Sequence, residues 1–178
     1  MKILFVILIM LAAFQSRADD KNFSSVQPFD DKVRSALKWD NTEMANTYSD
    51  VLSWGLVFSP AIIVVRKEDE DKTKKFLSVV GSQAIIGGTT ELTKIWVKRT
   101  RPNGNGTKSF FSGHTSSAFA GASASCYLDK NYCISGYTLA AAVGYLRIAA
   151  DRHWASDVIV GAVVGSTGQL LPAVFMGF

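Results

Sequence analysis

Histidine is nearly missing from this chain, with two among 178 residues, and cysteine is as scarce, also with two. A zinc centre would have to draw on both histidines and an aspartate, and no third histidine, cysteine or nearby carboxylate stands at ligand spacing. A strong excess of positive charge is missing too. The formal net charge is +4 at pH 7, and setting residues 1–18 aside removes Lys2 and Arg17 and no acid, leaving 17 basic side chains against 15 acidic. That near-balance argues against a basic nucleic-acid binder. No β-alternating stretch of useful length occurs, which points to an all-α bundle. Nor is there length for two domains, since 178 residues with 48% hydrophobic content bury one core.

What is present is a series of apolar runs separated by short polar links. Residues 1–18 read as a secretory signal: Lys2 is the charged start, 3–14 the apolar run, and Ser16, Arg17 and Ala18 flank a cleavage point. The alternative is an uncleaved first anchor, although the run is shorter than the ~20 residues a membrane span wants. The helical domain is then 19–178. Over 29–39, Phe29, Val33, Ala36 and Leu37 recur at helical spacing among Asp30, Asp31, Lys32, Arg34 and Lys38. A short amphipathic helix is expected there, packed across the bundle end or laid on a membrane surface with Trp39 at the interface. Apolar stretches over 51–65 and 76–97, separated by the mixed charges of 66–75, predict a helical hairpin. A second hairpin is expected over 115–128 and 133–150, then a last helix over 155–176 whose Gly161, Gly165 and Gly168 leave one side thin enough for close approach. The expected architecture is a bundle of about five core helices plus the amphipathic one, with its active site at one end.

Counted up and down through these helices, 94–114 and 147–157 fall at the same end of the bundle. Lys94, Lys98, Arg99, Arg101 and Lys108 crowd one stretch, as a local anion site requires. Arg101 lies in a Gly-, Asn- and Pro-containing loop whose exit Pro102 fixes, and its guanidinium can hold two phosphate oxygens while Lys94 supplies a point charge. Lys98 and Arg99 read as a basic helix end facing the dipole. Ser112, Gly113 and His114 precede an apolar run, so their N–H groups stand at a helix N-terminus, where anions are favoured; a plain Ser cap and a surface histidine are the bland alternatives. His153 and Asp157 are four apart, so a shared helical turn lets the carboxylate fix the tautomer of a nucleophilic imidazole, although such a contact is as often merely structural. Lys94, Arg101 and Arg147 around the histidines would repel a divalent cation, so no metal and no cofactor is expected.

Together, Lys94 with Arg101-Pro102, then Ser112-Gly113-His114, then Arg147 with His153 and Asp157 resemble the tripartite signature of the type 2 phosphatidic acid phosphatase superfamily, over residues 94–157. The resemblance implies that Lys94, Arg101, Ser112, Gly113 and Arg147 hold phosphate and that His153 attacks it to form a phosphohistidine. It implies further that Asp157 supports His153, and that His114 protonates the leaving alcohol. Phe111 and Leu146 depart from the proline and serine common at those places, and Phe110 with Phe111 either walls a lipid tail or is buried in the bundle.

The resemblance implies either a membrane lipid phosphatase or a soluble secreted acid phosphatase of broad specificity. Mean hydropathy of +0.15 is low for a multi-span protein, yet 51–65, 76–97 and 155–176 carry few charges, as lipid-facing or deeply buried helices do. The reading favoured is an exported, metal-independent phosphatase. It acts on phosphatidic acid, phosphatidylglycerol phosphate, polyprenyl diphosphate or a lipid A phosphate, in the inner membrane with its site facing the periplasm, or in the periplasm. A phosphate-binding bundle with a decayed site is the non-enzymatic alternative. Cys126 and Cys133 flank the tip opposite the site: a disulfide is expected if the whole chain is periplasmic, free thiols if the tip reaches the cytosol.

Overall fold

A computed structural model describes residues 23–68 and 70–168 of the chain; the segment read as a signal and the part of the last apolar stretch beyond 168 lie outside the described residues. The described residues form six α-helices: α1 (Gln27–Leu37), α2 (Thr42–Arg66), α3 (Lys72–Val97), α4 (Gly113–Leu128), α5 (Cys133–Ala149) and α6 (Ala155–Thr167). Among the described residues there is no strand. Helix α2 begins nine residues before the apolar run because Asn41 caps it, its side chain accepting from the Met44 N–H at 2.9 Å. The polar stretch that apolar periodicity left out thereby becomes two turns of helix.

Helix α4 is the axis, packed against α2, α3, α5 and α6. Its inward residues are small, with Ala118, Ala120, Ala122 and Ala124 buried, so neighbouring backbones come close. A Cβ added at Gly165 would lie 2.2 Å from the Ser116 carbonyl oxygen, and one at Gly161 2.8 Å from that of Ser112. The glycine-lined side expected of the last helix therefore meets the backbone of α4. Across the bundle, Pro60 lacks the N–H that would bond the Leu56 carbonyl. The Ser59 hydroxyl donates to that oxygen at 2.9 Å, and Gly121 of α4 lies directly against it.

Helix α1 inverts the expectation drawn from its apolar spacing. Phe29 is 49% exposed whereas Asp30 is fully buried, because partners for the charged stripe wait on the bundle. Phe110 and Phe111 are buried against Phe23 and Val97, so they do not form an open apolar wall. On the outside, Val51, Trp54, Phe58, Ile62 and Val65 form an exposed stripe along α2, and Leu77, Val80, Leu92, Ile95 and Trp96 are exposed on α3. Among the described helices, α2 alone is long and apolar enough to cross a membrane. At the end away from the site, a disulfide joins Cys126 to Cys133, and Lys67 ties the two hairpin tips by donating to the Leu128 carbonyl at 3.0 Å and pairing with Asp129 at 2.9 Å.

Candidate active site

The junctions at the other end bring the basic residues together. Lys94, in the last turn of α3, pairs with Glu91 at 2.9 Å, and a Cβ at Gly113 would sit 3.1 Å from its Nζ, so glycine leaves room for the ammonium at the head of α4. Arg101 lies in a loop that turns through Gly104 and Gly106, at φ 76° and 86°, conformations glycine adopts freely. Arg147 comes from α5. Its Nη1 donates to the Asn46 side-chain oxygen at 2.9 Å, to the Ser49 hydroxyl at 2.9 Å and to Asp50 at 3.1 Å, all on α2. Arg101 and Arg147 each keep a buried Nε–H without a hydrogen-bond partner. Buried donors are nearly always paired, so two orphaned guanidinium donors leave two positions that an external acceptor, such as an anion, can fill.

Ser112 caps α4: its hydroxyl oxygen accepts from the Thr115 N–H at 3.4 Å and from the Thr115 hydroxyl at 2.8 Å. Its own N–H goes to the Asp157 carbonyl at 3.1 Å. The N–H groups of Gly113 and His114 are those of a helix first turn, which has no intrahelical acceptors.

The two histidines are held by different acceptors. The ring of His153, 2% exposed, has Nδ1 2.7 Å from the Ser109 carbonyl oxygen. A carbonyl only accepts, so Nδ1 carries the proton and the lone pair lies on Nε2. Burial, followed by the charges of Arg147 and Arg101, pushes the pKa of His153 well below the usual value, so the ring is neutral at physiological pH. His114, on the first turn of α4, has Nε2 3.0 Å from Asp50. Burial and then Arg147 lower its pKa to about 4 against the opposing pull of Asp50, with Lys94 and Arg101 adding to the downward shift. Lys94, Arg101 and Arg147 therefore all act on both rings.

Asp157 takes partners other than those its spacing from His153 suggested. Its carboxylate receives Arg99 at 2.6 Å, the Ser109 hydroxyl and the Trp154 N–H at 3.2 Å, and it reaches His153 only through Ser109. Arg99, read from sequence as a helix-end charge, is 1% exposed and ion-paired to both Asp157 and Asp30. Its planar fork spans two carboxylates, a buried arrangement that lysine would not reproduce. Sequence reasoning also missed Asn46, Ser49 and Asp50. Their signal was the 45, 49, 53, 56, 60 and 63 stripe of inward α2 residues, which starts among polar side chains. Among the described residues, no group of three or more histidine, cysteine, aspartate or glutamate side chains is arranged to hold a metal ion.

Comparison with known proteins follows the same residues. The family model described as PAP2 superfamily matches residues 75–171. A lipid A 1-phosphatase of Porphyromonas gingivalis is 40% identical over 97 residues, 52% of this chain and 22% of that protein, so the match spans about a fifth of that relative's length. Two crystal structures share the fold. Aquifex aeolicus LpxE superposes with a TM-score of 0.67 at 18% identity, covering 83% of this chain and 94% of that one. A transmembrane PAP2-type phosphatidylglycerolphosphate phosphatase from Bacillus subtilis superposes with a TM-score of 0.70 at 19% identity, covering 99% and 94%.

Proposed function

The chain belongs to the PAP2 superfamily, and on that premise we propose that it is a metal-independent phosphatase that hydrolyses a lipid phosphate monoester or diphosphate through a phosphohistidine. The observation that carries this reading is the pair of guanidinium groups, Arg101 and Arg147, each with a buried and unpartnered Nε donor, beside two histidines whose rings are neutral and separately held. Phosphoryl transfer needs fixed positive charge on the equatorial oxygens, one nucleophile and one proton donor in line. Lys94, Arg101, Arg147 and the first-turn N–H groups of Gly113 and His114, with Ser112 capping that turn, supply the charge and donors.

In the first step the lone pair on Nε2 of His153 forms the N–P bond. The P–O bond to the lipid alcohol breaks, its electron pair goes to the departing oxygen, and protonated His114 supplies that oxygen's proton. Phosphate dianion in the cage raises the pKa of His114 and so loads the acid. In the second step His114, now neutral, takes a proton from water while the water oxygen displaces His153, releasing inorganic phosphate. Ser109 holds the Nδ1 proton throughout, so the nucleophile keeps one tautomer.

For the substrate, the 40% identity to a lipid A 1-phosphatase favours a lipid A 1-phosphate first, ahead of phosphatidylglycerol phosphate, phosphatidic acid and polyprenyl diphosphate. The exposed apolar stripes of α2 and α3 support contact with a lipid phase. The Cys126–Cys133 disulfide weighs against a tip in the reducing cytosol and favours both ends of the bundle on the oxidising side of the membrane. That same bond favours a second reading, a wholly periplasmic acid phosphatase of broad specificity. The deciding experiment is phosphate release by the detergent-solubilised protein across these lipids and a soluble ester, with His153→Ala beside it and acid-labile phosphoenzyme trapped by quenching. Preference for one lipid and loss of both turnover and phosphoenzyme in His153→Ala are expected; a variant that still turns over refutes the nucleophile, and better turnover of the soluble ester selects the second reading.

A further inference from the structure

Asp30 and Arg34 stand at i and i+4 on α1, one stripe of a helix, Lys38 follows as its C-terminal cap in extended conformation, and all three reach the segment that carries His153. At one end Asp30, fully buried, accepts from the Ser156 N–H at 2.8 Å and from the Ser156 hydroxyl at 2.6 Å. It also pairs with Arg99 at 2.7 Å, and Arg99 in turn pairs with Asp157 at 2.6 Å. At the other end Arg34 holds Asp151 by two bonds of 2.6 and 2.8 Å, and Lys38 pairs with the same carboxylate at 3.2 Å. Asp151 has φ 57°, the left-handed conformation by which the chain leaves α5 and turns toward His153. Beyond the stripe, the Trp39 N–H donates to the Ala149 carbonyl at 3.0 Å. The short segment between α5 and α6 is thus gripped on both sides of the histidine by one helix far away in sequence.

We propose that α1 is a clamp for the nucleophile: its charged stripe fixes residues 151–156 so that the His153 ring stays seated on the Ser109 carbonyl, through Asp151 on one side and through Asp30, Arg99 and Asp157 on the other. None of Asp30, Arg34 and Lys38 is a catalytic residue; they are positioning residues. The clamp explains why the helix turns Asp30 and Arg34 toward the bundle and leaves Phe29 outside. Two features make it stiff. The Arg99 fork is fixed between two carboxylates with the Phe23 ring 3.9 Å from its guanidinium carbon. Ser109, which donates its hydroxyl to Asp157 and accepts from His153 at its carbonyl, also bonds the Arg99 carbonyl through its N–H at 3.0 Å, so the three partners move as one body.

The clamp rests on the reading of His153 as nucleophile, and its test separates the two. Asp30→Asn, Ser156→Ala, Arg34→Gln and Arg34→Lys are compared with wild type by kcat and KM on a soluble aryl phosphate. A second readout is the downfield proton resonance of the His153 Nδ1–H, assigned by its loss in His153→Ala. Expected for Arg34→Gln and Asp30→Asn is a fall in kcat of about tenfold with KM within about twofold, since a misplaced nucleophile costs turnover while the phosphate cage is untouched. The Nδ1–H resonance should shift or broaden in the same variants, and Arg34→Lys, which keeps the charge but not the two-bond fork, should restore part of both. If Asp30→Asn does not fold, Arg34→Gln against Arg34→Lys and the milder Ser156→Ala decide. Folded variants with wild-type kcat and an unmoved resonance overturn the clamp, whether or not they melt lower or bind vesicles less. A wild-type protein inert on every phosphate ester would sink the proposed function instead, and the resonance alone then decides the clamp.

Discussion

Replacing Asp50 with asparagine isolates the role of His114. The Asp50 carboxylate lies 3.0 Å from His114 Nε2, with side chains 40% and 37% exposed, so the attraction is largely solvent-screened. Two unit charges at that distance in a water-like medium attract by ~1.4 kcal/mol, and exposed pairs measure at or below ~1 kcal/mol. Taking about 1 kcal/mol, loss of Asp50 lowers the His114 pKa by roughly 0.7 unit, below its value of about 4. The sign follows from Asp50 being the group that raises that pKa against burial, Arg147, Lys94 and Arg101. At neutral pH the protonated fraction of the free enzyme then falls about fivefold. The assay is kcat/KM against pH for two esters, one with a basic alkoxide leaving group and one with an activated aryl leaving group. Asp50→Asn should lower the alkyl ester about fivefold relative to the aryl ester at pH 7 and move its alkaline limb to lower pH, because the acid matters when the leaving oxygen is basic. Any weakening of Arg147, which keeps its bonds to Asn46 and Ser49, affects both esters alike and cancels in the ratio. Equal loss for the two esters, or a limb that moves to higher pH, refutes the assignment of His114 as the acid.

Gly165→Ala should destabilise the protein by about 1–3 kcal/mol through overpacking on the Ser116 carbonyl, whereas Gly88→Ala, with nothing within 4 Å, should gain about 0.5–1 kcal/mol as a helix-interior change; thermal melts read both signs. Vanadate should inhibit competitively with phosphate esters by occupying the cage, and EDTA should leave activity unchanged; inhibition by EDTA reversed by zinc contradicts the metal-independent mechanism. Alkylation of the unreduced, denatured protein with a thiol reagent should add no mass, since the two cysteines are disulfide-bonded; two adducts would place the tip in a reducing space.

Much of the scaffold is legible in the sequence because apolar runs and polar links alternate, and the small residues of 155–168 announce a close helix contact. The motif residues are legible because their types and spacing are chemically demanding. Asp30, Asp50 and Arg99 are not, and the reason is the same for each: they act across the chain. Asp50 faces His114 from a helix whose first two turns carry no apolar periodicity, and it becomes helical only because Asn41 caps them. Asp30 breaks the rule that the apolar side of a short helix turns inward, a rule that assumes no buried cation waits to be paired. Arg99 sits two residues past a helix end where surface charges are common, and nothing local reveals that Asp157 lies beside it. The link from Asp157 to His153 illustrates the limit of spacing: four residues place both near the same helix start, but Ser109, from another segment, stands between them.

The alanine- and glycine-built axis has a consequence for how this bundle ages under mutation. Where Gly161 and Gly165 meet the carbonyls of Ser112 and Ser116, the separation between α4 and α6 is set by main-chain atoms in contact, not by the choice of side-chain rotamers. The head of α4 and the start of α6, which carry His114 and Asp157, are therefore gauged by a spacer that outward substitutions do not reach. The large side chains of α2 and α3 form a removable coat over that frame. Exchanging the coat for a polar one would change the phase that suits the bundle while leaving the distance between His114 and Asp157 where it is.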